Sequence, residues 1–109
     1  TWAMLSRTAA AHGGRPATSF QLLSDPAAPA ETLTWAEVQA RVAQTANLLR
    51  SLGVGEGDVV AYMLPNCTEA ILTYIGGQVA GIVNPINPLL EAEQIGAILR
   101  ETNARVLVT

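Results

Sequence analysis

The sequence contains no lysine: its six basic residues, Arg7, Arg15, Arg41, Arg50, Arg100 and Arg105, are all arginine. Any mechanism that needs a lysine amine, whether as nucleophile, Schiff base or phosphate ligand, is therefore excluded from these residues. Positive charge is scarce as well as one-sided. Nine carboxylates against six arginines give a formal net charge of −3. The arginines are scattered along the chain, so a nucleic-acid partner is excluded. One cysteine, Cys67, cannot form an internal disulfide, which fits a reducing, cytoplasmic setting. One histidine, His12, leaves too few soft ligands for a zinc site. Long uninterrupted apolar runs are also missing. Val59 to Val83 is apolar on average but is broken by Pro65, Asn66, Thr68 and Glu69, so no transmembrane segment is expected. The first residues lack the charged start and apolar core of a signal peptide.

What is present is hydrophobic. Half of the 109 residues are apolar and only 14% are charged, an apolar balance for one small domain. Some of that apolar surface is expected to be covered by something outside these residues, either the rest of a polypeptide or a second subunit. The chain opens on Thr1 and closes on the β-branched run Val106-Leu107-Val108-Thr109. A buried parallel strand normally leads into a loop and a covering helix. Both ends are accordingly expected to be cuts in a longer protein.

Local patterns predict the elements. Trp2 to His12 is a short helix with Gly13 and Gly14 as stops. Ser19 to Leu23 and Thr32 to Trp35 flank the Pro- and Ala-rich loop Asp25 to Ala30 and suggest a hairpin. Thr34-Trp35-Ala36-Glu37 fits a capping box. Val38, Val42, Ala46, Leu49 and Leu52 then form one helical face, which Gly53 terminates. Val59 to Leu64 reads as a strand covered on both faces. A helix from Thr68 to Ala80 follows, with Ile71, Leu72, Ile75 and Val79 on its apolar face. Gly76 and Gly77 cost this helix about 1 kcal/mol each relative to alanine, which suggests close backbone packing at Gly77 and Gly81. Ile82-Val83 is a short strand ended by Pro85 and Pro88. Glu91 to Glu101 is a helix, and Arg105 to Val108 a last strand. The strand–helix–strand order implies right-handed crossovers and a small parallel sheet, so the fold class is α/β, with the sheet preceded by a helix and a short hairpin.

No stretch forms a self-sufficient site. The glycines of Gly53-Val54-Gly55-Glu56-Gly57 close a helix and lead into a strand. A phosphate loop needs the reverse order, with helix N-terminal N–H groups facing the anion. Leu64-Pro65-Asn66-Cys67-Thr68 does lie between a strand and a helix, where α/β folds place ligands, but it lacks glycine. Asn66 or Thr68 is expected to cap the helix. Cys67 lies near a helix start but has no evident base, since His12 belongs to the first helix. Asn84-Pro85-Ile86-Asn87-Pro88 is turn chemistry, and Glu91, Glu93 and Glu101 are solvated helix surface. No catalytic, cofactor-binding or metal residue is assigned.

The order of these segments resembles a known family. Leu33-Thr34-Trp35-Ala36-Glu37-Val38, then Leu52-Gly53-Val54-Gly55-Glu56-Gly57-Asp58-Val59-Val60-Ala61 and Leu64-Pro65-Asn66, are similar to successive segments of the adenylate-forming superfamily. So are Ala80-Gly81-Ile82-Val83-Asn84-Pro85-Ile86-Asn87-Pro88, Glu93-Gln94-Ile95 to Leu99, and Val106 to Thr109. That superfamily holds acyl-CoA synthetases, peptide-synthetase adenylation domains and luciferases. The resemblance spans about residues 33 to 109, and two departures stand out. Glu91 occupies the position of a family Ser/Thr cap, and Gly76-Gly77 stand where the family often has alanine, leucine or lysine.

The resemblance implies residues 1–109 to be a partial N-terminal domain of an AMP-forming acid–thiol ligase, truncated before the phosphate loop. It implies a parent enzyme that uses ATP, Mg²⁺ and CoA to turn a carboxylic acid into its CoA thioester, through an acyl-adenylate. Fatty acid metabolism is the implied setting. The Ser/Thr/Gly-rich phosphate loop and the catalytic lysine of that family lie beyond the matched region. These residues are therefore expected to be an inactive scaffold whose partner is the remaining polypeptide. Two other readings stay open: a self-contained small α/β ligand-binding module, and an oligomerisation module forming a homo-oligomer.

Overall fold

The computed structural model describes all residues, Thr1 to Thr109. Four helices and five strands follow in order: α1 (Trp2–His12), β1 (Pro16–Gln21), β2 (Ala30–Thr34), α2 (Trp35–Ser51), β3 (Val59–Tyr62), α3 (Thr68–Ala80), β4 (Ile82–Pro85), α4 (Ala92–Glu101) and β5 (Ala104–Val108). Strands β1 and β2 form an antiparallel hairpin, and β4-β3-β5 a separate parallel sheet.

The hairpin is displaced from its sequence expectation. β1 begins at Pro16 and stops at Gln21, leaving Leu22 and Leu23 exposed in the loop, and Trp35 belongs to α2. The cause is local. The Gln21 amide donates to the Asp25 and Ala28 carbonyls. The Asp25 carboxylate accepts the Ala27 N–H at 2.9 Å, and its carbonyl accepts the Ala28 N–H at 2.9 Å. Gln21 and Asp25 thus close the loop before Leu22 can pair.

Helix α2 follows its caps closely. Thr34 Oγ1 accepts the Glu37 N–H at 3.3 Å, and Glu37 Oε2 accepts the Thr34 N–H at 2.8 Å, a complete capping box. At the other end Gly53, with φ +88°, donates to the Arg50 carbonyl at 2.9 Å. The Val54 N–H reaches the Leu49 carbonyl at 3.1 Å. This is a Schellman stop, and its Val54–Leu49 apolar contact is part of the core. Leu52 falls outside the buried face: as the C-cap residue it is exposed, because the helix turns away there.

The two thiol- and hydroxyl-bearing residues at the start of α3 do not cap it. Cys67 is the N-cap and makes no side-chain cap bond, and Thr68 turns its hydroxyl toward β2 instead. Helix α4 starts at Glu91, whose N–H is accepted by Gln94 Oε1 at 3.1 Å, so the altered family cap is met by a different pair. Asn103, at φ +50°, makes the left-handed turn into β5, a role asparagine tolerates.

Strand β4 runs through Asn84 and Pro85 rather than ending before the proline. It is an edge strand, where the missing N–H of Pro85 breaks no ladder. The crossovers leave β3 in opposite directions, to β4 through α3 and back past β3 to β5 through α4. Right-handed connections therefore place α3 and α4 on opposite faces. Val60 faces α2 and α3 and packs with Ala46, Leu49, Val54 and Ala80. Ala61 points the other way, and both residues are fully buried, as expected for a strand covered on two sides.

Helices α2 and α3 cross closely because Gly76 lacks a side chain. A Cβ there would lie 2.7 Å from Thr45 Cγ2. Gly77 is similarly pressed by Val83 and Gly81 by the 55–58 turn, as the sequence suggested. Beyond this core the molecule is open. Only 16 of 109 residues are buried, and the accessible surface is 6853 Å². A compact monomer of this mass exposes about 5,800 Å². The radius of gyration of 15.3 Å likewise exceeds the roughly 13 Å of a compact domain.

Replacing Thr34 with alanine removes the cap acceptor and is expected to cost about 1 kcal/mol at neutral pH. The Glu37 carboxyl is held below the usual carboxylate range, first by the Thr34 backbone N–H, then by the Thr34 hydroxyl and Arg41. A folded pKa below the unfolded one stabilises above the unfolded value, and that stabilisation is lost as pH falls through the folded value. The gap between wild type and Thr34→Ala in urea midpoints should therefore narrow in acid. A gap that stays constant across this window would show that the Thr34 hydroxyl contributes nothing to holding the Glu37 carboxylate.

Candidate functional site

In open α/β sheets, ligands settle at the carboxyl ends of the strands. Here the largest cleft, about 580 Å³, opens at the end of β3 between the hairpin and α3. It is lined by Ser19, Phe20, Tyr62, Asn66, Cys67, Ala70, Ile71, Tyr74 and Ile75. Its size suits a small organic group, and its walls are mainly apolar.

Each wall has a local cause. Tyr62 is two residues after Val60 in β3, so strand alternation puts it on the α3 side of the sheet. Cys67, Ala70, Ile71 and Tyr74 recur at helical spacing along one flank of α3. Leu72, Ile75 and Val79 pack against the core, while Ile71, expected there from sequence, is exposed on the cleft side. Phe20 reaches the cleft because a bulge between Pro16 and Thr18 turns both Ala17 and Thr18 inward and sets the later alternation.

The chemistry on offer is binding rather than catalysis. Burial, then the neighbouring Tyr74, pushes the Tyr62 phenol above the usual tyrosine range, so it stays protonated. Asn66, Ser19 and the tyrosine hydroxyls are the polar groups around an aromatic surface. Cys67 lies in the wall, but His12 ends α1 and does not line the cleft, so thiol and imidazole are not brought together. Asn66 and Cys67 are the sequence-flagged residues that do meet here. Phe20, Tyr62 and Tyr74 were not flagged, and only the helical spacing from Cys67 to Tyr74 hinted at them.

The other flagged segments are structural. In the Gly53–Gly57 loop, the Gly55 N–H is taken by Asp58 Oδ2 at 2.7 Å and the Asp58 N–H by the Gly55 carbonyl at 3.0 Å. Arg105 lies against Asp58 at 3.8 Å. This is a helix stop and tight turn, in which the Gly53, Val54, Gly55 and Asp58 N–H groups are used. Asn87 accepts the Leu89 N–H at 3.0 Å, a turn bond, and Ile86 is buried against β3. Glu91, Glu93 and Glu101 are exposed.

Two smaller clefts exist. One, of about 480 Å³, lies between α2, α3 and the start of α1, where Arg50 already donates to the Val79 carbonyl at 2.9 Å. The other, of about 320 Å³, lies at the ends of β3 and β5 and is walled by Leu48, Leu49, Leu64 and Leu72. No three His, Cys, Asp or Glu side chains converge to hold a cation. With no lysine, and with a glycine loop that closes a helix rather than opening one, these residues do not make a set that fits ATP with Mg²⁺. No helix is long and apolar enough to cross a membrane.

Known proteins resemble the chain throughout. The marinolic acid–CoA ligase of a Pseudoalteromonas species is 42% identical over 64 residues, 59% of this chain and 10% of that protein. The crotonobetaine/carnitine–CoA ligase of Salmonella arizonae is 39% identical over 77 residues, 70% of this chain and 15% of the relative. A Mycobacterium tuberculosis fatty acyl CoA synthetase superposes with a TM-score of 0.82 at 26% identity, covering 97% of this chain and 20% of its own. The chain thus spans only a small part of the length of these relatives. The family model for AMP-binding enzymes matches residues 5–109, more than the motifs from residue 33 onward had indicated. With nearly every residue matched in order, the chain belongs to the AMP-binding enzyme family.

Proposed function

We propose that these residues are the scaffold part of the N-terminal domain of an AMP-forming acid–CoA ligase, reached before the phosphate-binding segment. The observation that carries this reading is the family match over residues 5–109. It is supported by relatives that are themselves named CoA ligases and are up to 42% identical to the chain over the aligned residues. In the parent, a carboxylic acid attacks ATP to give an acyl-adenylate and pyrophosphate, and CoA displaces AMP to give a thioester. ATP, Mg²⁺ and CoA are bound by residues outside the 109 described here. Without lysine, these residues cannot place an ammonium against the phosphoryl charge.

Their contribution is the β4-β3-β5 sheet and its covering helices, which hold a larger domain in place. The remaining polypeptide is the partner that covers the surplus surface. That assignment favours the ligase over a self-contained binding or oligomerisation module. A cytoplasmic setting agrees with the single unpaired cysteine. Fatty acids are the first substrate class to try, since a fatty acyl CoA synthetase superposes on the chain at 26% identity.

The test uses the full-length parent with ATP, Mg²⁺, CoA and a panel of fatty, aromatic and carnitine-like acids. Pyrophosphate release and acyl-CoA mass are the readouts. Thioester formation with at least one acid by the parent, and none by the 109-residue chain, is expected. Turnover by the short chain alone, or a parent that forms no adenylate with any acid, would overturn the assignment.

A further inference from the structure

We propose that Glu31 is a positioning residue that latches the β1–β2 hairpin onto α3 and so sets the opening of the cleft between Phe20 and the Tyr62–Tyr74 wall. The inference rests on the geometry of the hairpin and stands apart from the ligase reading.

The hairpin is a two-stranded ribbon separate from the parallel sheet, and such ribbons hold little structure by themselves. Its base is anchored by Leu33, 3% exposed and packed with Leu5, Val38 and Val42. Glu31 lies two residues nearer the tip and so shares that inner face. Its Oε2 accepts the Thr68 hydroxyl at 2.7 Å, and its Oε1 lies 3.7 Å from Arg41 Nη1. The ion pair is half-exposed and contributes little, whereas the hydroxyl bond is to a charged acceptor. Thr68 is 2% exposed, and loss of Glu31 leaves its hydroxyl buried without that partner.

Apart from Glu31 and the Thr34 cap at its base, the side-chain bonds of the hairpin stay within it. Ser19 and Thr32 pair at 2.8 Å on the outer face, and Gln21 serves the loop. Glu31 is therefore the outermost polar tie between hairpin and helices. Phe20 is directly opposite Glu31 in the register and forms one wall of the cleft. When the carboxylate lets go of Thr68, Phe20 moves with its strand and the Cys67 thiol in the facing wall is uncovered.

Cys67 reports the opening. In the full-length protein, native alkylation with iodoacetamide is followed by trypsin and mass spectrometry. Arg50 and Arg100 bound a single lysine-free peptide, Ser51 to Arg100, that carries Cys67. Glu31→Ala and Thr68→Val are expected to raise its alkylation rate roughly tenfold, the effect of losing a hydrogen bond to a charged group. Glu31→Gln keeps an acceptor for Thr68, and Arg41→Gln removes only the ion pair. Arg41→Gln should remain within roughly twofold of wild type, whereas Glu31→Gln, with a neutral acceptor, should lie between, about threefold above wild type. Thr32→Ala, on the outer face and outside the cleft lining, should not change the rate. If Glu31→Ala fails to fold, Thr68→Val decides. Wild-type rates in Thr68→Val, or equal acceleration in Arg41→Gln or Thr32→Ala, would overturn the latch.

Discussion

Gly81→Ala is expected to destabilise the fold by about 3 kcal/mol, at the upper end for overpacking. The backbone at Gly81 is extended, with φ −165°, so conformation itself would admit alanine. Space does not. The added Cβ would lie 2.6 Å from the Asp58 carbonyl oxygen and 2.7 Å from that of Gly55. Neither oxygen can retreat cheaply. The Gly55 carbonyl accepts the Asp58 N–H, and the Asp58 carbonyl accepts the Ile82 N–H at 2.9 Å where β4 begins to pair with β3. Relieving the clash thus loosens the turn and the start of the parallel ladder together. Gly57→Ala is the matched control, because nothing lies within 4 Å of its Cβ position. It should be neutral or stabilise by about 0.4–1 kcal/mol through the unfolded chain. Urea unfolding followed by the fluorescence of Trp2 and Trp35 measures both. Equal midpoints for the two variants would mean that the 55–58 turn yields freely.

Leu49→Ala is the second large effect, about 3 kcal/mol. Leu49 is 3% exposed and packs in the cluster with Ala46, Val54, Val60 and Ala80. Its carbonyl also accepts the Val54 N–H that closes the α2 stop. Truncation leaves a cavity between α2, α3 and the sheet and removes the apolar half of that Schellman contact. Leu48→Ala, one residue earlier and 60% exposed, should stay within about 0.5 kcal/mol of wild type. A comparable loss in Leu48→Ala would place the core boundary elsewhere.

Much of this architecture was legible residue by residue. The capping box at Thr34 and Glu37, the Gly53 stop and the Thr68–Ala80 helix are local, because each depends on residues within one turn of one another. The same holds for the parallel orientation of β3, β4 and β5, which helical crossovers dictate, whereas the central place of β3 came only from the structure. Errors arose where distant groups compete. Asn66 or Thr68 was expected to cap α3, but neither does, and a carboxylate 37 residues away offers the Thr68 hydroxyl a better partner than the local N–H groups. Pro85 was expected to stop a strand, yet at a sheet edge its missing donor costs nothing. Ile71 was assigned to the core because periodicity marks a helix as apolar without saying which neighbour covers it.

The cleft was the least legible part. Asn66 and Cys67 could be flagged from their place between a strand and a helix. Phe20, Tyr62 and Tyr74 come from three elements, and Phe20 faces inward only because a bulge shifts the alternation of β1.

By itself, the order of short motifs along the chain determined the α/β class, the helix boundaries and the family, because caps, stops and alternation act over a few bonds. Tertiary structure alone decided which groups press Gly76, Gly77 and Gly81, which apolar stripe is core and which is cleft, and where the carboxylate of Glu31 goes. Those outcomes depend on groups dozens of residues apart competing for the same space or the same hydrogen bond, and that competition is settled only when the layers are packed.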